Sequence, residues 1–162
     1  MRRFQFVVCS TFVVGLVVSA LGVSVLAQSP SVVGNWTLNV AKSTFSADPA
    51  PRSASLKIEA LGRAATTTVD MVAADGATQH WTYTGAYDSV DVPVTGANQY
   101  GDMAARKRLN ATTTQTTFKK AGKVTSVNTI VVSADNKTLT VTSNGTDAQG
   151  RAARSVQVFD KQ

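Results

Sequence analysis

His80 is the side chain best placed for acid–base or metal chemistry, because it is the only histidine among 162 residues. A protein-built zinc site needs several His, Cys or carboxylate ligands, and the one cysteine, Cys9, lies in an apolar N-terminal run. No nucleophile-elbow or phosphate-loop motif accompanies the imidazole. It shares its strand face with Thr78, Thr82 and Thr84, which favours a solvated histidine over a haem ligand or a proton-transfer group. We therefore predict no catalytic constellation, no cofactor and no metal site, and hence a protein that is not an enzyme.

Trp81, Tyr83 and Tyr87 follow His80 with a spacing that places all three on the opposite face of the same strand. Buried aromatic rings contribute strongly to a protein core. They also line most cavities that bind small molecules. Both interpretations stay open at this stage, because one inward-facing surface can serve both purposes.

Two basic clusters stand on neighbouring predicted strands. They are Arg106, Lys107 and Arg108 in the first, and Lys119, Lys120 and Lys123 in the second. With a hairpin turn near Asn110, Lys119 comes opposite Asp102, which would neutralise part of the patch. Only Phe118 is near enough to stack on a base, so nucleic acid is not an expected partner. Charges on exposed strands usually protect solubility; the alternative is weak contact with anionic surfaces through Arg106, Arg108, Lys119, Lys120 and Lys123.

The N-terminal segment has the pattern of a secretory signal peptide. Met1–Arg3 is positively charged, Phe4–Leu26 is apolar, and small residues precede Gln28. We predict a signal peptide over 1–27, a single domain over 28–162, and a secreted or periplasmic bacterial location. A retained membrane anchor is the alternative, because about 20 apolar residues can span a bilayer. Cleavage would remove Arg2 and Arg3 and so lower the net charge from +6 to +4. It would also remove Cys9, the only cysteine, so the remaining chain could form no disulfide.

The elements that must position these residues are predicted to be strands. Residues 28–162 hold 20 Thr and 15 Val, which favour strands, and apolar residues alternate with polar ones as in Trp36, Leu38 and Val40. Gly- and Asn-containing turns separate the segments. The predicted strands are 33–40, 53–60, 64–73, 77–87, 89–94, 101–109, 112–120, 123–133, 137–146 and 151–160.

Short connections between these strands predict an antiparallel up-and-down meander. A ten-strand meander removes its exposed edges by closing on itself, so we expect an all-β barrel of about 8–10 strands. A two-sheet sandwich is the alternative architecture. A barrel in the outer membrane would need aromatic girdles, for which eight aromatic residues in 135 are few.

The sequence resembles the calycin group, which comprises lipocalins, avidins and fatty-acid-binding proteins. The resemblance rests on Gly34-Asn35-Trp36-Thr37-Leu38 near the start and Val156–Lys161 at the end. It is also similar to a family of small, uncharacterised secreted bacterial proteins that open with Gly-x-Trp-x-Leu-Asn-x-Ala-Lys-Ser. The resemblance implies that Gly34 and Trp36 are structural, with the indole closing one end of the barrel. It also places Gln157 and Phe159 where fatty-acid-binding proteins hold a carboxylate with an Arg and an aromatic residue.

From these observations we expect a monomeric binding protein that is not an enzyme. We predict that a small, largely apolar molecule binds inside the barrel, contacted by Trp81, Tyr83, Gln157 and Phe159, with burial of apolar surface as the driving force. The alternative is an interaction protein of the cell envelope or exterior, with a filled core and no small ligand. An enzyme working mainly by the shape of its pocket is the last alternative.

Overall fold

A computed structural model describes residues 31–46, 49–147 and 150–162. The predicted signal peptide and its cleavage site lie outside these residues. The described residues form eleven β-strands and no helix. The strands are β1 (Gly34–Phe45), β2 (Ser53–Leu61), β3 (Ala64–Val72), β4 (Thr78–Ala86), β5 (Asp88–Pro93), β6 (Thr95–Gly96), β7 (Met103–Arg108), β8 (Thr113–Lys120), β9 (Lys123–Val132), β10 (Thr138–Thr146) and β11 (Ala152–Lys161).

Strand formation follows the alternation in the sequence. In β10, Leu139 and Val141 are buried while the threonines that alternate with them are more exposed, as expected when side chains point to alternate faces. The ten predicted strands are all present. The structure adds β6, whose two residues are too few to show a period. It also extends β1 beyond residue 40, through an irregularity between Asn39 and Thr44.

The eleven strands form one antiparallel sheet in the order β5-β7-β8-β9-β10-β11-β1-β2-β3-β4-β6. The first and last strands, β1 and β11, pair with each other, with Leu38 opposite Phe159. The two ends of the described chain therefore lie side by side in the sheet. The predicted antiparallel all-β barrel is confirmed, and the described residues do not form the alternative two-sheet sandwich. No described segment is a helix of the length and apolarity needed to cross a membrane.

The predicted pairing of every strand with its successor is wrong at one place. β4 does not pair with its predicted successor β5: it pairs with β6 instead, whereas β5 pairs with β7 as predicted. Ser89 has a φ of 67° at the crossing from β4 to β5, and Gly96 has a φ of +102° where the chain returns to β4. A Cβ on Gly96 would overlap the carbonyl oxygen of His80, so only glycine allows this close approach. The result is a seam between β4 with β6 on one side and β5 with β7 on the other.

Side chains, rather than a continuous ladder, fill the seam. Gly85 of β4 leaves room for Val92 of β5, since a Cβ on Gly85 would lie 3.2 Å from Val92 Cγ2. Arg106 of β7 donates from Nη1 to the carbonyl oxygen of Ala65 in β3, at 2.7 Å. The barrel is therefore nearly closed, with backbone pairing around most of its circumference.

Trp36 lies near the start of β1, opposite Lys161 at the end of β11, and so at one end of the barrel. Its side chain is fully buried, and Nε1 donates to the carbonyl oxygen of Val32 at 2.9 Å. The Nζ of Lys161, opposite on β11, lies 5.1 Å from the centre of the indole. Gly34 has a φ of +143°, and a Cβ there would lie 3.1 Å from Lys161 Cε. We call this the closed end of the barrel.

Candidate functional site

The interior of the barrel contains two neighbouring cavities, beginning with a small one that we call the inner chamber. Its volume is about 60 Å³. The four residues predicted to bind a ligand, Trp81, Tyr83, Gln157 and Phe159, all border it. The structure therefore brings together residues from β4 and β11, which lie far apart in sequence. Their contact with a ligand stays a prediction.

An aromatic cluster forms one wall of the inner chamber. The ring centres of Trp81 and Tyr100 are 6.0 Å apart, those of Tyr83 and Phe118 are 5.7 Å apart, and Tyr100 lies 5.8 Å from Phe118. These are favourable separations for aromatic pairs. The position of Tyr100 could not be predicted from strand alternation, because this residue lies outside any strand. Phe118 follows Thr114 and Thr116 at a spacing of two residues, so all three lie on the same, buried face of β8. This spacing is the signal in the sequence that could have identified Phe118 as inward-facing.

Three polar side chains in the wall of the inner chamber have an atom with no hydrogen-bond partner among the described residues. These atoms are Thr67 Oγ1, Trp81 Nε1 and Thr116 Oγ1. All three residues are less than 5% exposed. Buried polar groups are normally paired, and an unpaired one costs roughly 1–3 kcal/mol. The wall is thus apolar in most of its area but carries hydrogen-bonding capacity that the described chain does not use.

The position of Arg106 contradicts the prediction that it belongs to a basic patch on the surface. Its side chain is only 2% exposed, because it shares the inward face of β7 with Ala104. Besides its bond to Ala65, Nη2 donates to the hydroxyl of Tyr87 at 3.2 Å. The guanidinium carbon lies 4.7 Å from the Tyr87 ring centre and 5.4 Å from that of Tyr83. No carboxylate of the described residues forms an ion pair with it, and its Nε is unpaired.

Replacing Arg106 with methionine is expected to change the free energy of unfolding by less than about 1.5 kcal/mol, because apolar replacements of buried charges are often neutral or stabilising. Methionine keeps much of the stem volume and removes a buried charge and the unpaired Nε. Arg106→Ala, which leaves a void beside Gly85, should instead destabilise by about 2 kcal/mol. Urea unfolding of both variants measures the difference. A large loss in the methionine variant would mean that the guanidinium bonds dominate.

The other basic residues of the two predicted clusters lie on the outside of the barrel. Lys119 stands opposite Met103 rather than Asp102, and its Nζ pairs with Asp91 Oδ2 at 2.7 Å. An irregularity between Phe118 and Lys119 in the pairing with β9 accompanies this arrangement. The predicted neutralisation therefore occurs, but through a different carboxylate. Anionic-surface contact through Arg108, Lys119, Lys120 and Lys123 stays a prediction.

A larger cavity, which we call the mouth chamber, lies at the end of the barrel opposite Trp36. Its volume is about 290 Å³. Serine side chains from three neighbouring strands line one side of it, namely Ser126, Ser143 and Ser155. Met71, Tyr100 and Gln157 border both chambers. These three residues therefore form the partition between the inner chamber and the mouth chamber.

His80 lies on the outer surface, as predicted. Its side chain is 62% exposed, and Nδ1 lies 2.6 Å from Asp70 Oδ1 on the adjacent strand. Among the described residues, no group of three or more His, Cys, Asp or Glu side chains could hold a metal ion. The predicted lack of a cofactor is not tested by this arrangement and stays a prediction.

Two carboxyl groups on the outer surface have shifted pKa values. A hydrogen bond from Asn39, followed by one from Lys42, lowers the pKa of Asp160. A hydrogen bond from Ser133 and one from the Lys137 backbone lower the pKa of Asp135. Neither group borders a chamber. Both shifts have local structural causes, and neither makes its carboxyl a candidate for chemistry inside the barrel.

Comparison with known proteins adds a structural likeness. No protein-family model matches the chain, and no curated protein matches it. Among solved structures, it is similar to a zebrafish ileal bile acid-binding protein in complex with cholic acid, with a TM-score of 0.47 and 13% sequence identity. The match covers 80% of this chain and 98% of the zebrafish chain. No functional residue is transferred to this chain at such identity.

Proposed function

We propose that this protein binds one small, largely apolar molecule inside its barrel and carries out no chemistry on it. The observation that supports this most directly is the wall of the inner chamber. Aromatic and aliphatic side chains surround the cavity, and its lining residues Thr67, Trp81 and Thr116 each have a buried polar atom without a partner among the described residues. Binding sites for small molecules typically combine an apolar lining with a few placed polar groups.

The sizes of the two chambers define how such a molecule would fit. The inner chamber, at about 60 Å³, admits only a slim apolar group, whereas sites for drug-sized ligands measure about 300–1,000 Å³. The mouth chamber, at about 290 Å³, is close to that range. A ligand would therefore place a narrow end between Trp81 and Phe159 and keep its wider part nearer the mouth.

A series of straight-chain alcohols from four to ten carbons tests the proposal. Each buried methylene should raise the affinity about fourfold, because its transfer from water is worth about 0.8 kcal/mol. The gain should stop at the length that fills the inner chamber. Quenching of Trp81 fluorescence or calorimetry measures the affinities. No saturable binding at any length would contradict the proposal.

A matched pair of variants locates the binding. Val69 borders the inner chamber, whereas its neighbour Thr68 faces outward and bonds Thr82 on the next strand. Val69→Phe should shorten the chain length at which affinity stops rising, and Thr68→Phe should leave it unchanged. Equal effects of the two changes would show that the alcohols bind outside the barrel.

The second candidate is an interaction protein with a filled core. The small volume of the inner chamber favours it, and it predicts no dependence of affinity on chain length. Export is a further part of our proposal, supported by the N-terminal pattern of charged and apolar residues. A monomeric state is also part of it. Native mass spectrometry of the exported protein should give a monomer that begins at Gln28.

A further inference from the structure

We propose that the mouth chamber binds an uncharged, hydroxyl-bearing head group, so that the ligand is an amphipathic molecule with its apolar end in the inner chamber. This inference rests on the proposed function and specifies the ligand class. It begins from the side chains at the boundary between the chambers. Asn128 borders the inner chamber, Ser126 and Ser143 border the mouth chamber, and Gln157 borders both.

The hydrogen bonds at this boundary leave both donors and acceptors free. Asn128 Oδ1 accepts from Ser126 Oγ at 2.7 Å and from Ser143 Oγ at 2.8 Å, while its amide nitrogen donates to no described residue. Gln157 Nε2 donates to Ser155 Oγ at 3.1 Å, while its Oε1 accepts from no described residue. An amide donor and an amide acceptor, on two residues that both border the inner chamber, thus have no partner among the described residues.

A hydroxyl group matches this arrangement because it both donates and accepts. A carboxylate or phosphate would only accept, and an ammonium group would only donate, so either would leave one side of the boundary unpaired. The charges of the mouth chamber agree with this choice. Its charged lining residues among those described are one acid, Asp75, and one base, Arg154, so the chamber offers no excess of either sign to an ionic head.

The geometry also determines the orientation of the ligand. Tyr100 and Met71 border both chambers, so they stand where a ligand would extend from one chamber into the other, and Phe118 and Trp81 border only the inner chamber. A bulky polyol cannot be accommodated in about 60 Å³, but an alkyl or aryl end can pass. The polar head therefore stays at the serine-lined side of the mouth, and the apolar end enters first.

Three octyl compounds with different heads test the inference: octyl β-D-glucoside, octanoate and octyltrimethylammonium, each below the concentration at which it forms micelles. The glucoside should bind about tenfold more tightly than either ionic compound, which is the effect of one or two net hydrogen bonds. Calorimetry measures all three on the full folded protein.

Gln157→Met tests the boundary itself, because methionine keeps the length of the side chain and removes the amide. The glucoside should lose about tenfold in affinity, and the ionic compounds should change less than about twofold. Gln115→Met, on β8 and bordering neither chamber, should change none of the affinities. Thermal unfolding of both variants shows whether they remain folded.

The outcomes separate this inference from the proposed function. Octyl compounds that bind with equal affinity whatever their head, or a Gln157→Met variant that keeps the full preference for glucoside, would overturn the head-group site while leaving the apolar site intact. No binding of any octyl compound would overturn both.

Discussion

Replacing Trp36 with alanine is expected to lower the free energy of unfolding by about 3–5 kcal/mol, the range for large aromatic residues in a core. The indole is fully buried at the closed end and contacts side chains from several strands. Its removal also leaves the Val32 carbonyl oxygen without the donor that now lies 2.9 Å away. Urea unfolding followed by circular dichroism measures the loss.

Two controls identify the cause of this destabilisation. Trp36→Phe keeps most of the apolar contact and loses the bond to Val32, so its cost should be about 1–2 kcal/mol. Leu61→Ala removes an apolar side chain that is 60% exposed, and it should change stability by less than about 0.5 kcal/mol. A Trp36→Ala variant as stable as Leu61→Ala would show that the indole does not hold the closed end together.

The second large effect is expected for Gly101→Ala, in the segment before β7. A Cβ on Gly101 would overlap the carbonyl oxygen of Lys119 and would lie 2.7 Å from its carbonyl carbon and 3.1 Å from its nitrogen. These are backbone atoms of β8 and cannot move alone. We expect a loss of about 3 kcal/mol, at the upper end of the range for overpacking.

The same change should alter the partition between the chambers. Asn98 holds the segment by accepting from Tyr100 N at 2.9 Å and donating to Gly101 O at 3.0 Å. A shift of Gly101 away from β8 would therefore move the Tyr100 ring away from Trp81 and Phe118. An increase in tryptophan quenching by acrylamide would report this opening.

Gly122→Ala is the matched control for the steric argument. Gly122 lies in the turn between β8 and β9 with a φ of +76°, and nothing lies within 4 Å of a Cβ built there. Its replacement should cost about 1 kcal/mol from the left-handed backbone alone. If Gly101→Ala cost no more than this control, the close contact with Lys119 would have no energetic weight.

The strands could be predicted because their signals are local. Leu139 and Val141 alternate with threonines and so show the period of two directly, and Gly62 and Gly122 have the positive φ that their hairpin turns require. The seam could not be predicted from such signals. It depends on Gly96 approaching His80 and on Arg106 reaching Ala65, and no local pattern in the sequence encodes either contact.

The residues of the candidate site also divide into those that have a local signal in the sequence and those that do not. Trp81 and Tyr83 were recognised because they alternate with threonines on one strand, and Phe159 through the resemblance of the last strand. The charge of Arg106 predicts an exposed side chain. Its spacing of two residues from Ala104, which also faces inward, instead places it on the inner face of β7. The mouth chamber could not be foreseen, since it is assembled from segments as distant as Phe45, Tyr100 and Ser143.

The seam has a consequence for how copies of this protein behave at high concentration. A sheet that is not fully closed has two edge strands, and long, flat edges can recruit a strand from another molecule. Here β6 has two residues, and β5 ends at Pro93 and has an irregular register between Asp88 and Asp91. Short, kinked and proline-terminated edges are poor templates for intermolecular β-pairing. The interruption in the barrel is thus protected against aggregation by the same irregular residues that create it.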